Sequence, residues 1–439
     1  QPEFVDYWAY RLSDLFLISS KKLRPMALKA YYDWLRGEIE KITPWDQLVR
    51  QVVAAKGDTL KNGAANFYSI HQDPETMAEN VSQAFMSLSI NCAKCHNHPL
   101  EKWTNDQYYS FANLFARVRA KGWGGDARSG DGARTLFIAD RGDLIQPRTG
   151  KPQPPAPLDG QAIASDSTED RREVLADWLT SPENPYFTRS IANRVWANFF
   201  GRGIVEPVDD LRTSNPASNE PLLQAISKHL AENNYDLKSL MRLILRSETY
   251  RRSSRPLPEN KGDQKHFSRY YPRRLMAEVL QDAITSVTRI SPKYNKITLS
   301  DGSTQGISLY RDGTRALQLS DSSVTSYFLK TFGRNEREIT CECERSNKPS
   351  MVQVLHLSNG NTLNNNLRNN QSCVNTLITQ SNDAIIEDTY LLCLSRRPSD
   401  SERKRLQNIF EVAPETQRRG VVEDLFWALM TSREFLFQH

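Results

Sequence analysis

The chain has 439 residues, 38% hydrophobic and 25% charged, which describes a globular protein on the polar side of average, with two or three domains rather than one core. Its 57 Lys and Arg against 52 Asp and Glu leave a formal charge of +5. The densest basic stretches, RYYPRRL (269–275) and LSRRPSDSERKR (394–405), are interrupted by acids or continue into apolar helical pattern, so nucleic-acid binding has little support against a solvated face, and no run nears the roughly 18 apolar residues of a membrane-spanning helix.

The opening QPEFVDYWAYRL has neither an initiator Met nor a signal peptide, and the expectation is that an upstream part has been removed or that this is the later part of a longer protein. Apolar residues at three- and four-residue spacing then predict helix through most of the chain. In DPETMAENVSQAFMSLS (73–89), Asp73 is the expected N-cap and Pro74 the first helical residue, with Met77, Val81, Phe85 and Leu88 along one face. That helix leads into INCAKCHNHPLEKW (90–103), which gathers Cys92, Cys95, His96 and His98 from a stock of six cysteines and seven histidines. Thr104 and Gln107 stand at capping-box spacing for the next helix, so the cluster falls on a short connector between two amphipathic helices.

Cys92-Ala-Lys-Cys95-His96 fits the c-type haem attachment pattern, whose spacing lets two thiols add to vinyl groups on one porphyrin edge while the next residue brings an imidazole under the iron. Chance would place two Cys and one His this way only roughly 0.001 times in such a chain. The rival is a zinc or other soft-metal site using Cys92, Cys95 and His96 or His98 with a distant fourth ligand. His98, just before Pro99, is a candidate metal ligand or propionate contact, or an ordinary polar residue. Candidates for a sixth haem ligand are His71, Met77 and Met86, the two methionines reading first as core packing.

Farther on, GWGGDARSGDG (122–132) lacks the ending of a phosphate loop and reads as a flexible loop, and QPRTGKPQPPAPLDG (146–160) is Pro-rich. Between them RTLFIAD predicts a short strand, so 121–170 reads as a connector holding a short hairpin. Helical pattern resumes at 171, with Gly201 and Gly203 ending the helix over RSIANRVWANFF, and continues through PRRLMAEVLQDAITSVT (272–288) to a closing helical bundle. A second cysteine cluster, TCECERSNKPSM, carries Cys341 and Cys343, candidate metal ligands or reactive thiols. A mutual disulfide across one residue is expected to be awkward, so the first expectation is a framework drawn from Cys341, Cys343, Cys373 and Cys393, with three pairings open.

The stretch FMSLSINCAKCHNHPLEKWTNDQYYSFANLFARV (85–118) resembles the cytochrome-c-like domain of unknown function widespread in planctomycete proteins, whose hallmark is Cys-x-x-Cys-His-x-His-Pro followed by Lys-Trp-Thr and an aromatic helix. The later half resembles the planctomycete-specific domain that usually follows it, through RREVLADWLTSPENPYFTRSIANRVWANFFGRGIVEPVDDLRTSNPASN (171–219), YPRRLMAEVLQDAI (271–284), CECERSNKPSMVQVLHLSNGNTLN (341–364) and TSREFLFQH (431–439). The resemblance implies an exported protein, periplasmic or on the cell surface, and raises haem c further above zinc. It also makes Arg189, Asn193, Arg194, Asp209, Asp210, Glu344, Arg345 and Asn361 candidates to line a pocket, against the alternative of structural hydrogen bonds and ion pairs.

The reading is therefore a mainly α protein of two packed helical domains: 1–120 cytochrome-like, 121–170 a Gly/Pro-rich connector, and 171–439 a planctomycete-specific helical domain. The expected role is redox, as electron transfer to a partner protein or an upstream cytochrome-like module, or haem-dependent catalysis in an interdomain pocket. The alternatives are a zinc-dependent hydrolase acting on polysaccharide, with carbohydrate as substrate, and a cell-surface scaffold with a structural metal or haem centre.

Overall fold

Helix starts fall where local chemistry puts them. In the computed structural model, which describes residues 1–122, 132–299, 301–346 and 348–438, Asp73 accepts the Thr76 N–H at 2.8 Å and Pro74 occupies the first position of its helix. Thr104 and Gln107 close both arms of a capping box. Gly201 ends its helix in the left-handed conformation, φ 72°. The fold is mainly α, and the chain divides into two compact units.

The first unit comprises Gln1–Tyr271 and two later segments, Ser320–Ser323 and Glu336–Cys343. Its helices are α1 (Pro2–Leu15), α2 (Pro25–Glu40), α3 (Trp45–Val53), α4 (Asn66–Ile70), α5 (Pro74–Met86), α6 (Asn105–Ala112), α7 (Arg171–Thr180), α8 (Phe187–Phe200), α9 (Glu220–Glu232) and α10 (Leu237–Arg246). They share one hydrophobic core in which Trp45, Phe85, Trp103, Phe187 and Trp196 are buried. Each such aromatic contributes roughly 1.5–3 kcal/mol by leaving water, which explains why short helices suffice here.

Strands β1 (Gly57–Asp58), β2 (Val118–Lys121) and β3 (Thr135–Ile138) form an antiparallel sheet in the order β1-β3-β2, with Val118 opposite Ile138 and Gly57 opposite Leu136. The expected strand in RTLFIAD is β3. The Gly-rich loop expected before it lies, over 123–131, outside the described residues. The Pro-rich stretch is part of this unit: Ile145–Gln146 pairs with Lys151–Pro152, and the segment beyond is fastened by arginines. Arg117 donates to the carbonyls of Ser167 and, at 2.7 Å, Ser165. Arg171, almost wholly buried, donates to the Asn113 carbonyl (3.0 Å), the Ser165 carbonyl (3.1 Å) and the Asp143 carboxylate (2.8 Å). The expected boundaries at 120 and 171 both fall inside this unit.

The two later segments are tied to α1 by one fully buried side chain. Arg337 Nε donates to Asp14 Oδ1 at 2.9 Å, Nη1 to the carbonyls of Ile18 (2.8 Å) and Ser320 (2.9 Å), and the guanidinium lies 4.7 Å over the Tyr10 ring. Nearby, Ser20 N–H donates to Asp321 at 3.0 Å, and Lys21 bridges Glu336 and Glu338 at 2.7 Å each.

The second unit comprises Pro272–Leu319, Val324–Asn335 and Glu344–His439. It holds α11 (Ala277–Thr288), α12 (Tyr327–Thr331), α13 (Met351–Asn359), α14 (Asn361–Arg368), α15 (Cys373–Leu377), α16 (Asn382–Leu394), α17 (Asp400–Val412), α18 (Arg418–Met430) and α19 (Arg433–Leu436). Helix α11 begins at Ala277 and not within the preceding PRR, because Arg273–Arg274 pairs as a strand with Phe437–Gln438 and the Arg273 guanidinium holds the Gln438 amide oxygen. Helices α16 to α18 form the expected closing bundle around Ile385, Ile386, Val422 and Phe426. Among the described residues no helix is long and apolar enough to cross a membrane.

Removing one partner of a buried ion pair strands the other charge. Arg337→Met is expected to lower the unfolding free energy by about 3–5 kcal/mol, read from urea denaturation. Asp177→Ala, which breaks the solvent-facing pair with Arg50, should change it by less than about 1 kcal/mol. Equal effects of the two variants would refute the anchoring role of Arg337.

Candidate functional site

The Cys-x-x-Cys-His motif sits on a 3-10 turn, Asn91–Lys94, between α5 and α6. Helix α5 closes on Ser87 in the left-handed conformation (φ 54°), and the Ser87 hydroxyl meets that of Ser190 on α8 at 2.6 Å. Ile90 and Ala93 are buried and carry the turn on the core, while Cys92, Cys95 and His96 are exposed and both thiols are free. Asn105 at the head of α6 fixes the backbone beneath them: its amide donates to the carbonyls of Ala93 (2.8 Å) and Lys94 (2.9 Å), and its N–H to Asn97 Oδ1 (3.0 Å). Gln146, from the Pro-rich stretch, donates to Asn105 Oδ1 at 2.5 Å.

The His96 ring places Nδ1 2.8 Å from the carbonyl oxygen of Asn97. With the proton on Nδ1 donated there, the lone pair is on Nε2, the tautomer and orientation of an imidazole that ligates through Nε2. His98 is buried and already engaged: its backbone N–H donates to the Trp103 carbonyl (2.8 Å), and its Nδ1 accepts the Leu100 N–H (3.2 Å). The residues expected as sixth ligands are all interior. Met77 and Met86 are core side chains, and His71 packs on the Phe67 ring at 4.8 Å with Nε2 buried and without a partner. Burial pushes the His71 imidazole down to about 3, with Lys22 adding to the effect.

The residues expected to line a pocket are distributed rather than gathered. Arg189 forms an exposed ion pair with Glu220. Asn193 is a loop staple, accepting the N–H groups of Ile204 (2.8 Å) and Val205 (3.0 Å) and donating to the Val205 and Val208 carbonyls. In the second unit Arg345 pairs with buried Glu278 at 2.8 Å, Glu344 closes a short 3-10 turn, and Asn361 is an exposed helix-start residue.

Arg194 and Asp209 do converge, on a residue to which no role was assigned from sequence. Glu342 receives Arg11 at 3.2 Å and Arg194 at 3.4 Å on its carboxylate, and its N–H donates to Asp209 Oδ2 at 3.0 Å. Burial acts to raise the Glu342 carboxyl, and the two guanidinium groups outweigh it and hold it below its ordinary value. Residues 209–212 also reach the motif: Leu211 N–H donates to the Ser87 carbonyl (2.9 Å), and Asp210 grips Arg212 (2.5 Å). Asp210, with Glu101 and Cys92 acting at longer range, raises the Arg212 guanidinium. Arg11 and Arg212 carried no local sequence signal, since each acquires its role through contacts distant in the chain.

The cysteine expectation is corrected. Cys341 and Cys343 are joined to each other, because the turn at this point brings their Cα atoms to 5.1 Å, within the ordinary disulfide range. Cys373 and Cys393 are free and buried, with burial pushing their thiols up to about 11 and about 12. Among the described residues no three His, Cys, Asp or Glu side chains are gathered as a metal ion would require.

These features define a mainly helical protein with a Cys-x-x-Cys-His connector and a second cysteine turn in the same unit. The model of PSCyt2, a protein of unknown function (DUF1549), matches residues 1–120, and that of PSD1, a protein of unknown function (DUF1553), matches residues 171–410. The second match covers more than half of the chain: this protein belongs to the PSD1 family, with a PSCyt2 domain ahead of it, the two-domain planctomycete arrangement expected from the motifs. No curated protein and no solved structure matches it.

Two outcomes follow from these placements. Asn105→Ala leaves the buried Ala93 carbonyl and the partly buried Lys94 carbonyl without their donor, so stability should fall by about 1–3 kcal/mol, and amide exchange should accelerate selectively over 93–98. The second concerns His71, whose folded value lies below the unfolded 6.5. The unfolded chain therefore binds the proton first, and stability is lost as pH falls below about 6.5, by about 1.4 kcal/mol per pH unit. His71→Phe should flatten the stability profile between pH 6.5 and 4; an unchanged slope would show that His71 is not the group responsible.

Proposed function

We propose that this chain is an exported c-type haem protein with a redox role, the haem linked through the Cys92 and Cys95 thiols and ligated by His96. The observation that carries the reading is the His96 ring, with Nδ1 on the Asn97 carbonyl at 2.8 Å beside two free, exposed thiols on one turn. This donor set suits the group: two thiols for thioether bonds and one imidazole presented through Nε2. A bare metal ion has less support, since among the described residues no three His, Cys, Asp or Glu side chains are gathered to hold one. When bound, the haem would supply a one-electron couple tuned by its axial ligand and its exposure.

The chain's own residues perform the positioning. Asn105 and the Thr104 capping box hold the turn rigid, and the Asn97 carbonyl holds the imidazole. Ile90 and Ala93 anchor the turn from below. Because Cys92, Cys95 and His96 are exposed, the group would be held at a protein surface where a partner can approach it, which supports electron transfer over chemistry in a closed cavity. The Cys341–Cys343 disulfide is consistent with an oxidising compartment and so with the periplasm or cell surface.

The test is the visible spectrum of the protein produced in a host that matures c-type cytochromes, followed by denaturation and extraction of free haem. The expected result is a haem band that stays with the chain, and a haem-modified peptide containing Cys92 and Cys95. Cys92→Ala together with Cys95→Ala should abolish both, and His96→Ala should shift the spectrum and the potential while leaving the attachment. A colourless protein would overturn the reading.

A further inference from the structure

A disulfide that closes a ring of three residues removes little freedom from the unfolded chain, because ring-closure stabilisation grows with the logarithm of loop length. The turn bearing Cys341 and Cys343 is also held without it. Glu342, between the two sulfurs, is fixed by Arg11, Arg194 and Asp209, and Arg337, four residues before Cys341, anchors the segment in the core. The bond is therefore superfluous as a staple.

Its placement suits exchange. Cys343 is exposed and Cys341 half-buried, so one sulfur is open to attack and the other is shielded. Cys343 N–H donates to Cys341 Sγ at 3.0 Å, a contact that favours negative charge on the sulfur leaving from Cys341. Arg11 and Arg194 offset the charge of the carboxylate between the two cysteines, so an approaching thiolate does not meet an uncompensated anion. Exposed disulfides are the labile ones.

We propose that Cys341–Cys343 is a thiol–disulfide exchange centre whose reaction partner is a dithiol. The thiolate of the dithiol attacks Cys343 Sγ, the Cys341–Cys343 bond breaks, and Cys341 leaves as a thiolate that takes up the proton released by the attacking thiol. The second thiol of the partner then attacks the sulfur it shares with Cys343, forming the partner's disulfide and releasing Cys343. Two electrons and two protons pass from the dithiol to the protein, and the reverse sequence oxidises a dithiol. This centre requires neither haem nor His96, so it stands or falls separately from the haem reading.

Differential alkylation of the native protein tests it. Free thiols are blocked, the protein is equilibrated with mixtures of reduced and oxidised dithiothreitol, and a heavy alkylating label then reports each cysteine peptide by mass spectrometry. The expected result is that the peptide spanning 341–343 gains two labels together in one reversible step, while Cys373 and Cys393 stay unlabelled until the protein is denatured. With glutathione disulfide as the trap, Cys341→Ser should form a mixed disulfide at Cys343, and Cys343→Ser should form about tenfold less at Cys341, both with wild-type helical circular dichroism. The proposal is overturned if the bond survives a large excess of dithiothreitol until unfolding, or if the two folded variants trap equally. Should either variant fail to fold, the titration of the unmodified protein decides. Repeating that titration on the Cys92→Ala, Cys95→Ala double variant separates this result from any loss of haem.

Discussion

The buried Arg337 guanidinium, set between the Asp14 carboxylate and the carbonyls of Ile18 and Ser320, is the contact on which the first unit's later construction depends. A guanidinium keeps its charge under all relevant conditions and presents several donors in a rigid fork. Burying it is unfavourable unless the fork is filled, and here one carboxylate and three carbonyls, from the 10–18 stretch and from Ser320, fill it. Once those stretches have met, residues 336–343 can take few other paths. The position of Glu342 and of the cysteines flanking it follows from that restriction.

From Glu342 the contacts run outward to the motif. Its carboxylate draws in Arg11 from α1 and Arg194 from α8, and its N–H is taken by Asp209. The same short segment then uses the Leu211 N–H to bond the Ser87 carbonyl at the end of α5, with Arg212 held beside it by Asp210. Two cysteine turns separated by some 250 residues of sequence thus share one structural support. Cys92 and Cys95 are presented by helices that meet their neighbours locally, whereas Cys341 and Cys343 are presented by a return segment held by charge.

That difference explains what could be read in the sequence. The helix carrying the motif was legible because its signals are short-range: an N-cap at Asp73, a capping box at Thr104, apolar residues at helical spacing. The motif itself was legible because thiol and imidazole chemistry dictates its spacing. Arg11, Glu342 and Arg337 were not, because a charged residue in a helix or loop reads as solvated until a partner hundreds of positions away is brought to it. The disulfide was misjudged for a related reason. Whether two cysteines one residue apart can pair depends on the local backbone, and that backbone is set by Glu342's distant partners. The start of α11 was read too early on the same account, since the strand that takes Arg273 and Arg274 ends at the far terminus of the chain.

Arginine used as a fastener of irregular backbone recurs through the first unit. Arg171 and Arg117 clamp the segment that follows the Pro-rich stretch through the Ser165 and Ser167 carbonyls, and Arg172 reaches the Ala55 carbonyl while stacking on the Tyr68 ring. Segments rich in proline and glycine cannot satisfy their carbonyls with their own backbone N–H groups, and leaving those carbonyls buried without donors is costly. A planar fork that donates to two or three carbonyls at once meets that need with a single side chain. The consequence for function is rigidity where regular structure is absent: both cysteine turns sit on loops, yet each rests on a shell of fixed donors. The redox roles proposed for these turns are served by such a shell, because preorganised donors need not rearrange when the charge beside them changes.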